Sequence, residues 1–207
     1  MSRPAFHLDA SACSGCKACQ VACKDKHDLP PGVLWRRVYE VVGGDWRRRG
    51  DAWSNDVFAY NVSVACNHCE RPICAEVCPA TAITRRADGI VLIDHDRCMG
   101  CRYCEWACPY GALQYHAAAG HMTKCTLCVD ELERGRPPAC VAACPLRVLE
   151  LGDRDELMVG NGAGVPVHPL PDPALTGPAL AVTPHPAAPA RTPHPAAPAR
   201  TPGRTRA

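Results

Sequence analysis

Large apolar side chains are scarce in this chain. Of 207 residues only two are Phe and four are Met, and aromatics make up 5%. So little material cannot fill one or two ordinary cores at this length, so something else must occupy the interior. Long apolar runs are missing as well: nowhere do they approach the ~18 residues that a membrane-crossing helix needs. Met1 to Ala10 has no basic segment leading into an apolar one, so no signal peptide is expected. The arginine pairs Arg36-Arg37 and Arg85-Arg86 and the triplet Arg47-Arg48-Arg49 are internal, which excludes a twin-arginine signal there. Catalytic loops are lacking too. There is no Gly-rich dinucleotide or phosphate loop, no G-x-S-x-G elbow and no paired acid and base. The spacing Gly160-Asn161-Gly162-Ala163-Gly164 falls in a Pro/Ala-rich tail, where it carries no meaning. Charge of one sign is also absent. The net charge is +2, and four arginines against Asp172 beyond residue 160 account for it, which leaves no nucleic-acid footprint.

What is abundant is cysteine. All 16 lie between positions 13 and 144, in four groups of four: Cys13, Cys16, Cys19, Cys23; Cys66, Cys69, Cys74, Cys78; Cys98, Cys101, Cys104, Cys108; and Cys125, Cys128, Cys140, Cys144. The first and third groups step by three, three and four residues, the run that holds iron-sulfur clusters. In such a run three thiolates wrap one cluster and the fourth serves another. Zinc prefers two separated ligand pairs, a pattern that only the fourth group fits. A disulfide framework this dense belongs to small secreted domains. Four 4Fe-4S clusters are therefore expected, each held by four thiolates. With every thiol a ligand, no cluster keeps an open position for substrate, and the protein is expected to pass single electrons without catalysing a reaction itself.

The sequence repeats itself. Residues 5–23 match residues 90–108 at an offset of 85, at all four cysteines, Asp9/Asp94, Gly15/Gly100 and Ala22/Ala107, with Lys17 over Arg102. CAEVCPATAI (74–83) matches CVAACPLRVL (140–149) at an offset of 66. Two copies each of two half-motifs make two ferredoxin-like modules. Arg86 to Gly89 reads as a turn and Ile90 to Asp94 as a strand, a connection of ferredoxin type between groups two and three. The segment from Pro109 to Lys124 is comparably short, so length alone does not exclude pairing three with four. The linker pattern favours two with three, leaving one with four.

The expected fold is thus α+β, with the central module inserted into the outer one and a disordered C-terminal tail. Residues 1–30 form the first half of the outer module, 31–60 a cysteine-free insertion, 61–116 the central module, 117–155 the second outer half and 156–207 the tail. In the insertion, Gly43-Gly44-Asp45 between Val38–Val42 and Val57–Val64 suggests a hairpin. Trp35, Trp46 and Trp53 beside arginines suit either a partner surface or covers for clusters among solvated arginines. Val129 to Arg136 reads as a helical turn ending at Gly135, before Pro137-Pro138. The nonapeptide TPHPAAPAR occurs at 183–191 and again at 192–200, and its histidines, His185 and His194, read as incidental.

The segments NHCERPICAEVCP, DRCMGCRYCEWACPYGALQY, GHMTKCTLC and RRVYEVVGGDW resemble the iron-sulfur electron-transfer subunit of the dimethyl sulfoxide reductase family of molybdoenzymes, over about residues 5–155. The resemblance implies one cluster on Cys13, Cys16, Cys19 and Cys144, and a second on Cys23, Cys125, Cys128 and Cys140. It implies a third on Cys66, Cys69, Cys74 and Cys108, and a fourth on Cys78, Cys98, Cys101 and Cys104. The first group departs from the Cys-Pro ending by having Lys24, which should alter the turn more than the ligation. Lys17 and Arg102 are candidates for tuning reduction potential. The resemblance further implies a molybdopterin catalytic subunit as one partner and a quinol-oxidising membrane subunit as the other. The substrate would be an S-oxide or N-oxide, in anaerobic respiration, or in relatives thiosulfate, polysulfide, tetrathionate or selenate. The protein would be peripheral, held at the membrane through its complex. A free ferredoxin-like carrier and a zinc-binding module are the readings of other classes.

Overall fold

The computed structural model describes residues 3–160 and 167–189. Strand β1 (Pro4–Asp9) buries Ala5, Phe6 and Leu8, and leads through the first cysteine loop into helix α1 (Ala18–Lys26). The insertion supplies β2 (Arg37–Gly43), β3 (Trp46–Arg49), β4 (Ala52–Asn55) and β5 (Phe58–Val64). Next come α2 (Ile73–Glu76), β6 (Ile83–Arg85), β7 (Val91–Ile93) and α3 (Tyr103–Ala107). The strands β8 (Gln114–His116) and β9 (His121–Thr123) precede α4 (Val129–Leu132), α5 (Ala139–Ala142), β10 (Leu149–Asp153) and α6 (Arg154–Gly160). A 3-10 turn at Pro173–Leu175 and strand β11 (Leu180–Thr183) complete the described residues.

Short helices and strands are what the sequence dictates, because each cysteine loop consumes residues that would otherwise extend an element. Strand β1 pairs antiparallel with β10, Phe6 opposite Leu151. On its other edge it pairs parallel with β11, Phe6 opposite Leu180. Strands β6 and β7 form the hairpin expected around Arg86–Gly89, where the Gly89 N–H donates to the Arg86 carbonyl and Gly89 takes φ +88°. Helix α1 packs on α5, and α2 on α3.

In the insertion the two apolar pieces do pair, β2 with β5 from Arg37/Val64 to Gly43/Phe58. The reversal, however, is not at Gly43-Gly44-Asp45. A second ladder, β3 with β4, continues the arm, and the chain turns at Gly50, φ +63°. Gly44 marks a kink between the two ladders, closed by the Asp45 N–H on the Asp56 carboxylate at 2.7 Å. The arm is anchored at its base. Val38 donates its N–H to Gln20 of α1 (3.1 Å), and Arg37 donates to the carbonyls of Tyr110 (3.1 Å) and Gly111 (2.5 Å).

The tail departs from expectation. Residues 156–207 do not form one disordered segment: α6, the 3-10 turn and β11 are ordered, and only 161–166 and 190–207 fall outside the described residues. Leu180 and Val182 alternate into the core beside Phe6 and Leu8, which offsets the ordering entropy that the Pro/Ala composition alone does not. The His185 ring stacks on Tyr60 at 5.3 Å. His194 lies outside the described residues.

The interior is built as the scarcity of large apolar residues demands. In the larger core, Cys19, Cys23, Cys66, Cys125, Cys140 and Cys144 are buried among Phe6, Leu8, Trp35, Tyr60 and Leu127. A smaller one gathers Ile83, Val91, Cys104, Leu113 and Met122, with Cys74, Cys78 and Cys98 packed against it. Cysteines thus take the place that Phe and Met would hold elsewhere.

Candidate iron-sulfur centres

The first Cys-x-x-Cys loop of each group turns in the same way. The residue before its second cysteine has left-handed backbone: Gly15 (φ +70°), His68 (φ +40°), Gly100 (φ +70°) and Leu127 (φ +59°). The reversal points backbone N–H groups toward sulfur, as where Leu127 donates to Cys125 Sγ at 3.3 Å. Lys17 and Arg102 add a second left-handed residue, immediately ahead of α1 and α3. Three groups leave by the same turn. Thr81, Gly111 and Arg147 each donate their N–H to the carbonyl of the cysteine three residues back, and each has positive φ. The next N–H then reaches the sulfur itself, Ala82 to Cys78 at 3.3 Å and Ala112 to Cys108 at 3.5 Å. Such bonds favour the charged thiolate and raise cluster potentials. The first group, with Lys24 in place of proline, instead continues α1 to Lys26.

The loops regroup the thiols. Those of Cys13, Cys16, Cys19 and Cys144 line one cavity, with Leu8 and Val38. Those of Cys78, Cys98, Cys101 and Cys104 line another, with Ile83 and Met122. Burial, followed by the neighbouring Cys140, pushes the Cys23 thiol up to about 12, and Cys128 adds to the effect. Cys125 is pushed up by burial and then by Cys23 and Cys140. Cys23, Cys125, Cys128 and Cys140 are thus near neighbours. Cys69 and Cys74 are each pushed up to about 12, by burial first and then by the neighbouring Cys66 and Cys108, although a hydrogen bond with Thr176 draws Cys69 back. Burial raises Cys104 to about 11, and the neighbouring Cys101, Cys98 and Cys78 add to the effect. Cys108 is the last cysteine of its run, yet it stands with Cys66 rather than with Cys104. Cys144 likewise stands with Cys13 rather than with Cys125 and Cys128.

This donor set fits a cluster. All 16 cysteines are free of disulfides. Among the described residues no three His, Cys, Asp or Glu side chains converge tightly enough to hold a single metal ion. A zinc site built from the fourth group alone does not suit this arrangement, because Cys144 stands with Cys13 and apart from its sequence neighbours. Thiols spread around a cavity suit a polynuclear centre instead. Burial keeps thiols such as Cys23, Cys69, Cys74 and Cys104 protonated until metal supplies the opposing charge.

Several neighbours of the thiols were not legible in the sequence. Arg36 is 1% exposed, and its N–H is bonded to Cys23. Lys124 is buried, with Nζ donating to the carbonyls of Val91 and Cys125 (3.0 Å to the latter). His27 Nε2 contacts Cys128 Sγ at 3.3 Å, and Ser63 Oγ contacts Cys19 Sγ at 3.4 Å. His68 accepts the Val91 N–H on Nδ1, and burial holds it well below the usual imidazole range. Of these, Lys124 and His68 carried a signal, their places beside Cys125 and Cys69. The two tuning candidates are exposed, and Arg102 is engaged with Glu105 at 2.8 Å.

Four thiol quartets in ferredoxin-like loops define an iron-sulfur electron-transfer protein. A family model described as a 4Fe-4S dicluster domain matches residues 57–154. The B subunit of the anaerobic dimethyl sulfoxide reductase of Escherichia coli K12 is 50% identical over 180 residues, covering 87% of this protein and 88% of the relative. Its counterpart in Haemophilus influenzae is 46% identical over 186 residues, 89% of this protein and 91% of the relative. A formate dehydrogenase iron-sulfur subunit of Wolinella succinogenes is 35% identical over 178 residues, 75% and 84% of the two proteins. This protein belongs to the family of dimethyl sulfoxide reductase iron-sulfur subunits, and its cofactors are four 4Fe-4S clusters.

Proposed function

We propose that this protein is the internal wire of a membrane-associated molybdoenzyme complex, non-catalytic by itself. It would carry electrons from a quinol-oxidising membrane subunit to a molybdopterin subunit that reduces an S-oxide or N-oxide. Bound 4Fe-4S clusters supply one-electron acceptance and donation; the protein's part is to space them, exclude water and present the ends. The ligand sets are Cys13, Cys16, Cys19 and Cys144; Cys23, Cys125, Cys128 and Cys140; Cys66, Cys69, Cys74 and Cys108; and Cys78, Cys98, Cys101 and Cys104. The outer ferredoxin-like module, with its β1/β10 pair and α1 on α5, then encloses the central one, with its β6/β7 pair and α2 on α3.

One observation carries the reading: of the sixteen cysteines only Cys16 and Cys101 are exposed, and they belong to the first and fourth sets. The second set is buried throughout and the third has no exposed cysteine, and Cys66 is a near neighbour of Cys125 between them. A relay with two accessible ends and two less accessible middles would follow. Each end has exposed apolar side chains to dock a partner: Val21 and Leu146 at the first set, Met99, Tyr103 and Trp106 at the fourth. Trp46 and Trp53, on the outer ladder of the arm with Arg47–Arg49, are exposed and offer a further contact. Trp35 is buried and covers the interior. Among the described residues no helix is long and apolar enough to cross a membrane, so association would run through the complex.

Anaerobic purification with co-expressed partner subunits tests this. About 16 iron atoms per molecule, four to a cluster, and a co-purifying molybdenum subunit are expected. Iron without a stable partner would favour a free carrier.

A further inference from the structure

Arg36 stands just before β2 and is almost completely buried. Its Nη1 donates to the Ser63 carbonyl (3.4 Å) and to Ser63 Oγ (3.2 Å), and the guanidinium lies over the Phe6 ring at 4.4 Å. Nε and Nη2 are buried and have no hydrogen-bond partner. Among the described residues no carboxylate pairs with it. A buried guanidinium that meets only a hydroxyl, a carbonyl and a ring is strongly unfavourable unless an opposite charge faces it. The charges it feels come from thiols of two different quartets, Cys140, Cys125 and Cys23 in one and Cys19 in the other. The contacts run to both. Ser63, which holds Nη1, touches Cys19 Sγ, and the Arg36 main-chain N–H is bonded to Cys23.

The other cations near sulfur differ. Lys124 has its ammonium on two carbonyls, and Arg102 is half-exposed and paired with Glu105. Arg36 alone among the three combines burial with unpaired donors.

We propose that Arg36 is a potential-setting residue, its buried guanidinium the shared counter-charge for the clusters of the first and second quartets. The inference rests on the ligand sets proposed above. Each cluster becomes more negative on reduction, so a fixed positive charge in a low-dielectric site stabilises the reduced form and raises the potential of both.

The test is a potentiometric EPR titration of the assembled complex carrying Arg36→Met, Arg36→Gln and Arg36→Lys, with Arg102→Ser as the exposed comparison. Cys19→Ala and Cys23→Ala first identify the two signals that belong to the flanking clusters. Arg36→Met should lower both midpoints by at least tenfold in the equilibrium constant for reduction, about 59 mV per tenfold for one electron. The other two clusters should move less, and Arg36→Lys should restore most of the difference. Arg36→Gln keeps a donor for Ser63 without the charge and should shift the same two midpoints, so it stands in if Arg36→Met fails to load iron. Unmoved midpoints in the neutral variants, or a shift confined to clusters that Cys19→Ala and Cys23→Ala leave intact, would overturn the proposal without touching the ligand sets. Absence of iron in the unaltered protein would instead sink the ligand sets themselves.

Discussion

Left-handed residues set the cysteine loops, and two glycines show why particular residues stand there. A Cβ on Gly100 would lie 2.4 Å from the Gly120 carbonyl oxygen, at φ +70°, so both strain and a backbone clash follow. Gly32 also has positive φ, +85°, but nothing lies within 4 Å of its missing Cβ. Gly32→Ala should therefore cost about 1 kcal/mol, the left-handed penalty alone, whereas Gly100→Ala should cost several-fold more and release iron from one cluster. Thermal unfolding and iron content of the two variants check this. At the residue scale the cysteines were legible because cluster ligation imposes a spacing on the sequence. Arg36 was not: an arginine between Trp35 and Arg37 reads as solvated, and only the folded neighbours of its side chain reveal a buried charge.

At the scale of elements, the missing proline after Cys23 has a visible consequence. Helix α1 continues past the point where the other groups turn, and Lys24 uses its ammonium on the carbonyls of Leu29 (2.6 Å) and Pro30 (2.7 Å). Hydrogen bonds from a charged donor contribute about 1.5–3 kcal/mol each. Lys24→Met should lower the unfolding free energy by about that much for the pair while leaving iron content unchanged, since the cysteines keep their places. The tail is the other element-scale lesson. Thr176, buried, contacts Tyr110 Oη at 3.3 Å and bonds to Cys69, while the Glu70 and Arg71 N–H groups donate to the Gly177 and Thr176 carbonyls. Truncation after Gly160 should speed hydrogen exchange at Phe6 and Ala10, which bond to Ala179 and Thr183, and at Glu70 and Arg71. Asp9, bonded to Val148, should stay protected. Composition hid this element: Leu180 to Thr183 is a short apolar strand set within a Pro/Ala background whose average reads as disorder.

Over the whole molecule, thiols and metal are the core. Buried thiols such as Cys23 and Cys69, pushed up to about 12, mean that binding the clusters releases protons. Removing iron anaerobically should bring a large fall in melting temperature, measured by circular dichroism against the holoprotein. The four-group pattern and the β6/β7 linker were legible because local spacing encodes them. The β2/β5 arm was legible as a pairing of apolar pieces, although the turn was misplaced. The contacts that bring residues more than a hundred apart together have no local signal of their own: the linker pattern left the first group with the fourth, the sharing of a cluster by Cys13 and Cys144 came through resemblance, and the β1/β10 pairing was not read at all. The central claim is that runs lend their last cysteine to another cluster. Low-temperature EPR of the reduced protein tests it most directly, comparing Cys66→Ala, Cys104→Ala and Cys108→Ala. Cys108→Ala should erase the signal that Cys66→Ala erases and leave the signal that Cys104→Ala erases; loss of the Cys104 signal instead would contradict the account.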